Sequence, residues 1–240
     1  MLPILLSIGT FVSTMLGGIT GLKNRDRLHR LLGLTAGVVI GVVSFDLLPE
    51  IFSSLGHGIT ARDAMIALVC GFLLFHLIEK SILIHHSQEH EYEVHHHPQV
   101  GVASALALSG HSFLDGLGIG LGFQVGTGVG ISVAIAVIAH DFSDGLNTVT
   151  LMVINNNNRR KAFKMLLLDA LAPVVGAIVG TVVHISDGGL TLYLGFFAGF
   201  LLYIGASEIL PEAHSKHSSY TTILLTILGA TFMFFVTRFA

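Results

Sequence analysis

The feature that most limits what this chain can fold into is a series of continuous apolar runs, repeated from one end to the other with only short polar gaps between them. Each run is about the 20 residues that a helix needs to cross the hydrocarbon core of a bilayer. Charged residues make up 11% of the chain, against roughly a quarter in a soluble domain, and the mean hydropathy is +0.78. Lipid is therefore the expected solvent, and the gaps leave no room for a separate soluble domain. Because the runs are continuous rather than alternating, and backbone groups in lipid must find partners within their own segment, helices are expected rather than a barrel.

Apolar windows predict eight transmembrane helices near Leu2–Leu22, Leu31–Phe52, Ala61–Leu83, Val100–Gly122, Val129–Ile154, Ala162–Val183, Leu190–Leu210 and Thr221–Thr237. The expected fold is an all-α integral membrane protein, a single transmembrane domain spanning residues 1–240. Met1 to Leu22 has neither a basic leader nor an Ala-x-Ala type cleavage site, so it is expected to be the first span rather than a signal peptide. The single cysteine, Cys70, lies inside an apolar run, which excludes a disulfide framework or a thiolate metal cage.

With eight spans both termini fall on one side. Lys23, Arg25, Arg27, Arg30, Lys80, Arg159, Arg160, Lys161, Lys164 and Lys216 fall on the other, leaving only Arg62 and Arg238 opposite them. The positive-inside rule puts the basic side in the cytoplasm, so both termini are expected outside a plasma or bacterial inner membrane. Dropping or adding one span mid-chain would split the basic clusters between the two sides.

Against this apolar background the ionisable residues stand out. Helix four carries His111-Ser112-Phe113-Leu114-Asp115-Gly116 and helix five carries His140-Asp141-Phe142-Ser143-Asp144-Gly145, one motif used twice. In each copy His and Asp are four residues apart, which stacks them on one helix face, with Ser112 or Asp141 about 100° round. Asp169 in helix six adds a further acid ahead of Pro173. Ionisable groups at mid-membrane cost several kcal/mol each and persist where they meet a cavity, a partner or an ion. Carboxylates gathered at one depth repel one another or take up protons unless a cation joins them. Imidazole with carboxylate and hydroxyl oxygen suits a borderline first-row divalent ion, zinc first, then iron or manganese. Whether one ion or two would be held stays open, since carboxylates from facing helices can bridge a pair.

A second duplication links helices two and seven: Asp46-Leu47-Leu48-Pro49-Glu50 and Glu208-Ile209-Leu210-Pro211-Glu212. Helices two and seven run in opposite directions, as do four and five, which is the imprint of an inverted repeat. Two readings of the prolines stand: they loosen the helix and free carbonyls for a passing ion, or they terminate it. Residues 84–99 are expected to form a flexible cytoplasmic loop. It holds six of the fourteen histidines, with Glu89, Glu91 and Glu93. Such a tract either binds metal weakly as a regulatory element or serves as a solvated connector.

Taken together, these residues resemble the Zrt/Irt-like, or ZIP, family of divalent metal transporters, in its short prokaryotic form, over nearly the whole chain. The resemblance rests on eight spans with a His-rich loop between helices three and four, the paired motifs of helices four and five, the Leu-Pro-Glu elements of helices two and seven, and the Glu79-Lys80 end of helix three. It implies transport toward the cytoplasm past a metal site at His111, Ser112, Asp115, His140, Asp141 and Asp144, with Asp169 from helix six. Cadmium joins zinc, iron and manganese among the implied substrates. It further implies a homodimer, no resident cofactor and no nucleic-acid partner. The family motif has the form His-Asn-x-Pro-Glu-Gly; here Leu114 and Ser143 stand in the proline positions and aspartates replace the glutamates. Among other classes, cation diffusion facilitators share His-x-x-x-Asp pairs but have fewer spans and a soluble carboxy-terminal domain. An intramembrane zinc hydrolase could use His111, Ser112 and Asp115 for catalysis, but the repeated ligand set favours transport. A proton-coupled carrier of an organic solute is the third reading.

Overall fold

The computed structural model describes residues 1–21, 29–56, 58–88, 98–214 and 219–239. The core of the His-rich tract, 89–97, and His57, Lys23, Arg25, Arg27 and Lys216 lie outside the described residues. Eight helices among the described residues are long and apolar enough to cross a membrane. They are α1 (Leu2–Gly21), α2 (opening at His29 and running to Ser53), α3 (Ala61–Gln88), α4 (Pro98–Val125), α5 (Thr127–Ile154), α6 (Arg159–Val182), α7 (Asp187–His214) and α8 (Tyr220–Phe239). No strand occurs among the described residues.

Several helices overrun the sequence-based bounds. Ile84 to Gln88 continue α3 and Pro98 with Gln99 open α4, so the expected 84–99 loop is shorter at both ends. Arg159, Arg160 and Lys161, ahead of the expected start at Ala162, form with Lys164 the first turns of α6. Asn158 starts that helix: its side-chain oxygen accepts a hydrogen bond from the Lys161 N–H at 2.9 Å. Four asparagines in a row, Asn155 to Asn158, make the tight α5–α6 turn, with Asn156 in the left-handed region at φ 56°. Asn155 in turn donates its side-chain amide to Leu151 O.

The Leu-Pro-Glu prolines do not terminate their helices. Both α2 and α7 pass through a π-helical turn, Val43–Leu47 and Ile204–Ile209, and resume as α-helix at Leu48 and Leu210, with the proline next in line. A proline lacks the N–H and crowds the carbonyl four residues back, and a proline at the start of an α-helical segment avoids that conflict.

Glycine seams set the packing. A Cβ on Gly17 of α1 would fall on the Phe142 carbonyl of α5, and one on Gly145 of α5 on the Thr14 carbonyl of α1. The same reciprocity joins α4 to α6 (Gly116 on Pro173, Gly176 on Phe113), α2 to α8 (Gly37 on Thr226, Gly229 on Leu34) and α3 to α7 (Gly71 on Phe196, Gly199 on Leu68). Exchanging α1 with α6, α2 with α7, α3 with α8 and α4 with α5 turns the first seam into the second and the third into the fourth. The two π-helical turns exchange in the same way, so the inverted repeat is carried by packing as well as by sequence.

Burial runs opposite to that of a soluble helix. The inward face of α1 is Ser7, Thr10, Thr14, Gly17 and Gly18, whereas Leu5, Ile8, Val12 and Leu16 point outward. Serine and threonine hydroxyls satisfy themselves on their own helix or across it, as Thr10 does on Ser7 O and Ser13 on Ile138 O of α5. Over an apolar 18-residue stretch of α3 and of α8 17% of residues are buried, against 72% over such a stretch of α5. The centre of the molecule is thus α5, braced by α1, α2, α4 and α6, with α3 and α8 at the lipid boundary.

Candidate metal centre

Helix periodicity puts His111 and Asp115 on one face of α4, and His140 and Asp144 on one face of α5. The glycine that follows each acid, Gly116 or Gly145, lets a neighbouring helix close against the back of that face. The two faces meet. His111 Nε2 lies 3.3 Å from Asp115 Oδ2 and 3.7 Å from Asp144 Oδ2, and His140 Nε2 lies 3.4 Å from Asp115 Oδ2 and 3.7 Å from Asp144 Oδ2. One donor atom from each of the four residues falls within 4.8 Å of every other. A tetrahedral ion with bonds of about 2.0–2.2 Å to imidazole nitrogen and carboxylate oxygen separates its ligands by about 3.3–3.6 Å, close to the four nitrogen–oxygen distances here.

Three of these residues lack ordinary partners for the atoms they turn to the cluster. His111 Nε2, His140 Nε2 and both oxygens of Asp115 are buried and accept or donate no hydrogen bond among the described residues. Leaving such groups unpaired away from water costs about 1–3 kcal/mol each, more when charged. A shared cation would satisfy all of them at once. His140 is oriented for that role: its Nδ1 sits 2.9 Å from the Ala136 carbonyl, which takes the Nδ1 proton and leaves the Nε2 lone pair facing the cluster.

The remaining residues expected at the site separate into two groups. Ser112 of α4 donates to Asp169 Oδ1 at 2.8 Å, and Thr148 of α5 donates to Asp169 Oδ2 at 2.7 Å, so Asp169 is held by hydroxyls from two helices. Asp141 spans the gap: its Oδ1 is 3.9 Å from His140 Nε2, and its Oδ2 accepts from Thr14 of α1 at 3.3 Å. Asp141, Asp169, Thr14 and Thr148 are fully buried and Ser112 is nearly so.

Sequence reasoning missed the threonines and an aromatic wall. Thr148 carried a signal, because His140, Asp144 and Thr148 repeat at four-residue steps along one face of α5; Thr14 in an unremarkable first helix carried none. Phe75 of α3 and Phe200 of α7 pack edge-on against the His111 ring at centroid distances of 5.7 and 4.7 Å. The acids of α2 lie elsewhere. Glu50 lines a hollow of about 220 Å³ with Ser54, Gln124, Asp187 and Thr191, where α2, α4 and α7 end or begin. Asp46, in the π-helical turn, has a buried oxygen without a hydrogen-bond partner among the described residues.

Comparison with known proteins follows the same pattern. The family described as ZIP Zinc transporter matches residues 80–237. Among curated relatives, Zinc transporter ZupT of Lysinibacillus sphaericus is 25% identical over 97% of this chain and 93% of that protein. Zinc transporter ZupT of Chlorobium limicola is 26% identical, over 95% and 92%, and that of Chlorobium chlorochromatii 27% identical, over 92% and 91%. With a match that covers most of the chain and takes in every residue of the buried His/Asp cluster, the chain belongs to the ZIP zinc transporter family.

Proposed function

We propose that this protein carries divalent zinc toward the cytoplasm, with iron, manganese and cadmium as further substrates, and that the ion passes through His111, Asp115, His140 and Asp144. Ser112, Asp141 and Asp169 act as secondary ligands beside that cluster. The observation that carries the proposal is the meeting of two imidazole nitrogens and two carboxylates from α4 and α5, all four residues buried and their donor atoms within 4.8 Å of one another.

Two neutral imidazoles and two carboxylates give a bound divalent ion a neutral first shell, which suits a site surrounded by lipid-facing helices. A closed tetrahedral zinc site is usually structural, so flux needs an open position or a neighbouring ligand into which the ion can step. The oxygen-rich group at Asp141 and Asp169 supplies such neighbours. The basic residues at the starts of α2 and α6 support a cytoplasmic position for those ends, and movement toward the cytoplasm is what the likeness to the family implies. The hydrolase reading falls away with membership of a transporter family.

Radioactive zinc uptake into proteoliposomes tests the proposal, comparing wild type with His111→Ala and Asp144→Ala and using iron, manganese and cadmium as competitors. Saturable uptake in wild type and its loss in both variants is the expected result. A folded wild-type protein that takes up no zinc overturns it.

A further inference from the structure

We infer that Thr148 is a positioning residue for transport: its hydroxyl holds Asp169 as the next station for an ion leaving the His/Asp cluster on the side of the α5–α6 turn. This inference rests on the functional reading above.

Depth comes first. Thr148 is four residues nearer the end of α5 at Ile154 than Asp144, and Ser112 is three residues nearer the start of α4 at Pro98 than Asp115. At about 1.5 Å per residue, the Ser112–Asp169–Thr148 group lies roughly one helical turn closer than the central carboxylates to the membrane face that carries Arg159, Arg160, Lys161 and Lys164. An ion leaving the central carboxylates for that face comes level with Asp169 next, with His111 of the cluster at about the height of Ser112.

Proton accounting then singles out Thr148. A hydroxyl has one hydrogen to donate. That of Ser112 has two acceptors in reach, Asp169 Oδ1 at 2.8 Å and the Leu108 carbonyl at 3.1 Å of its own helix, so it can leave Asp169 for the backbone. Thr148 is different: its one hydrogen bond among the described residues runs to Asp169 Oδ2, at 2.7 Å. Both partners are fully buried, so no water replaces the bond when it is removed. Asp169 stands on α6 and Thr148 on α5, and the bond therefore fixes the carboxylate relative to the helix that carries His140 and Asp144. Without it, Asp169 Oδ2 turns to another donor and the next station is lost, while the four atoms that first take the ion stay as they are.

The expected signature is a split between binding and turnover. In proteoliposomes with zinc as the probe, Thr148→Val, close to isosteric, lowers turnover about tenfold, the factor expected for losing a buried hydrogen bond to a charged group, and leaves KM within about twofold. Thr148→Ala does the same without a methyl in the hydroxyl's place, and Thr148→Ser restores turnover. Asp169→Asn lowers turnover at least as far, and adding Thr148→Val to it lowers turnover no further, because the two act as one unit. Wild-type turnover in Thr148→Val, a Ser variant as slow as the Val variant, or a further loss in the Asp169→Asn background would overturn the inference while leaving the transporter reading intact. Absence of zinc uptake by the wild-type protein would overturn both.

Discussion

His140 shows how a single residue is prepared for an ion. Its Nδ1 is occupied by a carbonyl of its own helix, which leaves only one nitrogen and one orientation for the cluster. Removing the two central carboxylates together, by Asp115→Ala with Asp144→Ala, is expected to lower zinc uptake by about 100-fold or more, since even outer partners of metal ligands cost 10–100-fold. Near-wild-type flux in that variant would rule out the cluster as the path. Acidity acts on the same atoms: protons compete with metal for imidazole and carboxylate, and free imidazole takes its proton near about pH 6.5. Uptake is therefore expected to fall as pH drops from about 7.5 to about 5, and a flat profile would count against a His/Asp site. These residues were legible in the sequence because a charge in a 20-residue apolar run is costly and a four-residue step admits only one helix face. Thr148 was not legible in the same way. A threonine in a membrane helix normally bonds to its own backbone, and only the position of Asp169 on a different helix reveals that this one does not.

At the scale of elements, the glycine seams carry the energetics. Each brings two backbones together where a side chain would strike a carbonyl, and the apolar faces go to lipid instead. Placing leucine at Gly17 or Gly116 is expected to cost about 3 kcal/mol or more, the upper part of the range for overpacking, because a backbone carbonyl cannot swing aside. Gly110, where an added Cβ meets nothing within 4 Å, provides the control: Gly110→Ala is expected to leave stability within about 0.5 kcal/mol of wild type. Thermal unfolding in detergent measures both. The number and rough extent of the helices were legible from hydropathy alone. Their ends were not, because His85 to Gln88 and Arg159 to Lys161 read as polar segments while helix hydrogen bonding continues past the apolar run. Nor were the π-helical turns of α2 and α7, which depend on how a proline is accommodated rather than on any apolar period.

For the molecule as a whole, the inverted repeat and the placement of basic residues make separate demands on topology that agree. The α5–α6 turn is expected on the cytoplasmic side and the α6–α7 connection outside. In a Cys70→Ala background, a cysteine at Asn156 is expected to resist a membrane-impermeant thiol reagent applied to intact cells, and one at Ser186 to react with it; the reverse pattern would invert the proposed direction of transport. Pairing α1 with α5, α4 with α6, α2 with α8 and α3 with α7 was only partly legible. The duplicated motifs revealed the two repeats, but which helices touch depends on glycines that are scattered among many others of the same type.

The reciprocal seams also bear on how the chain can change length. A glycine on each helix meets the backbone of the other, so each crossing is keyed at two points and fixes rotation as well as distance. One residue inserted in α5 between Ser143 and Gly145 would turn everything beyond it by about 100°, carrying Gly145 off Thr14 and Thr148 off Asp169. The same insertion between Gly56 and Ile59, a turn whose glycine meets nothing, would disturb no crossing. Length variation is thus confined to the connections, and the spans behave as segments of fixed count whose arithmetic is set by backbone contact rather than by the thickness of the bilayer.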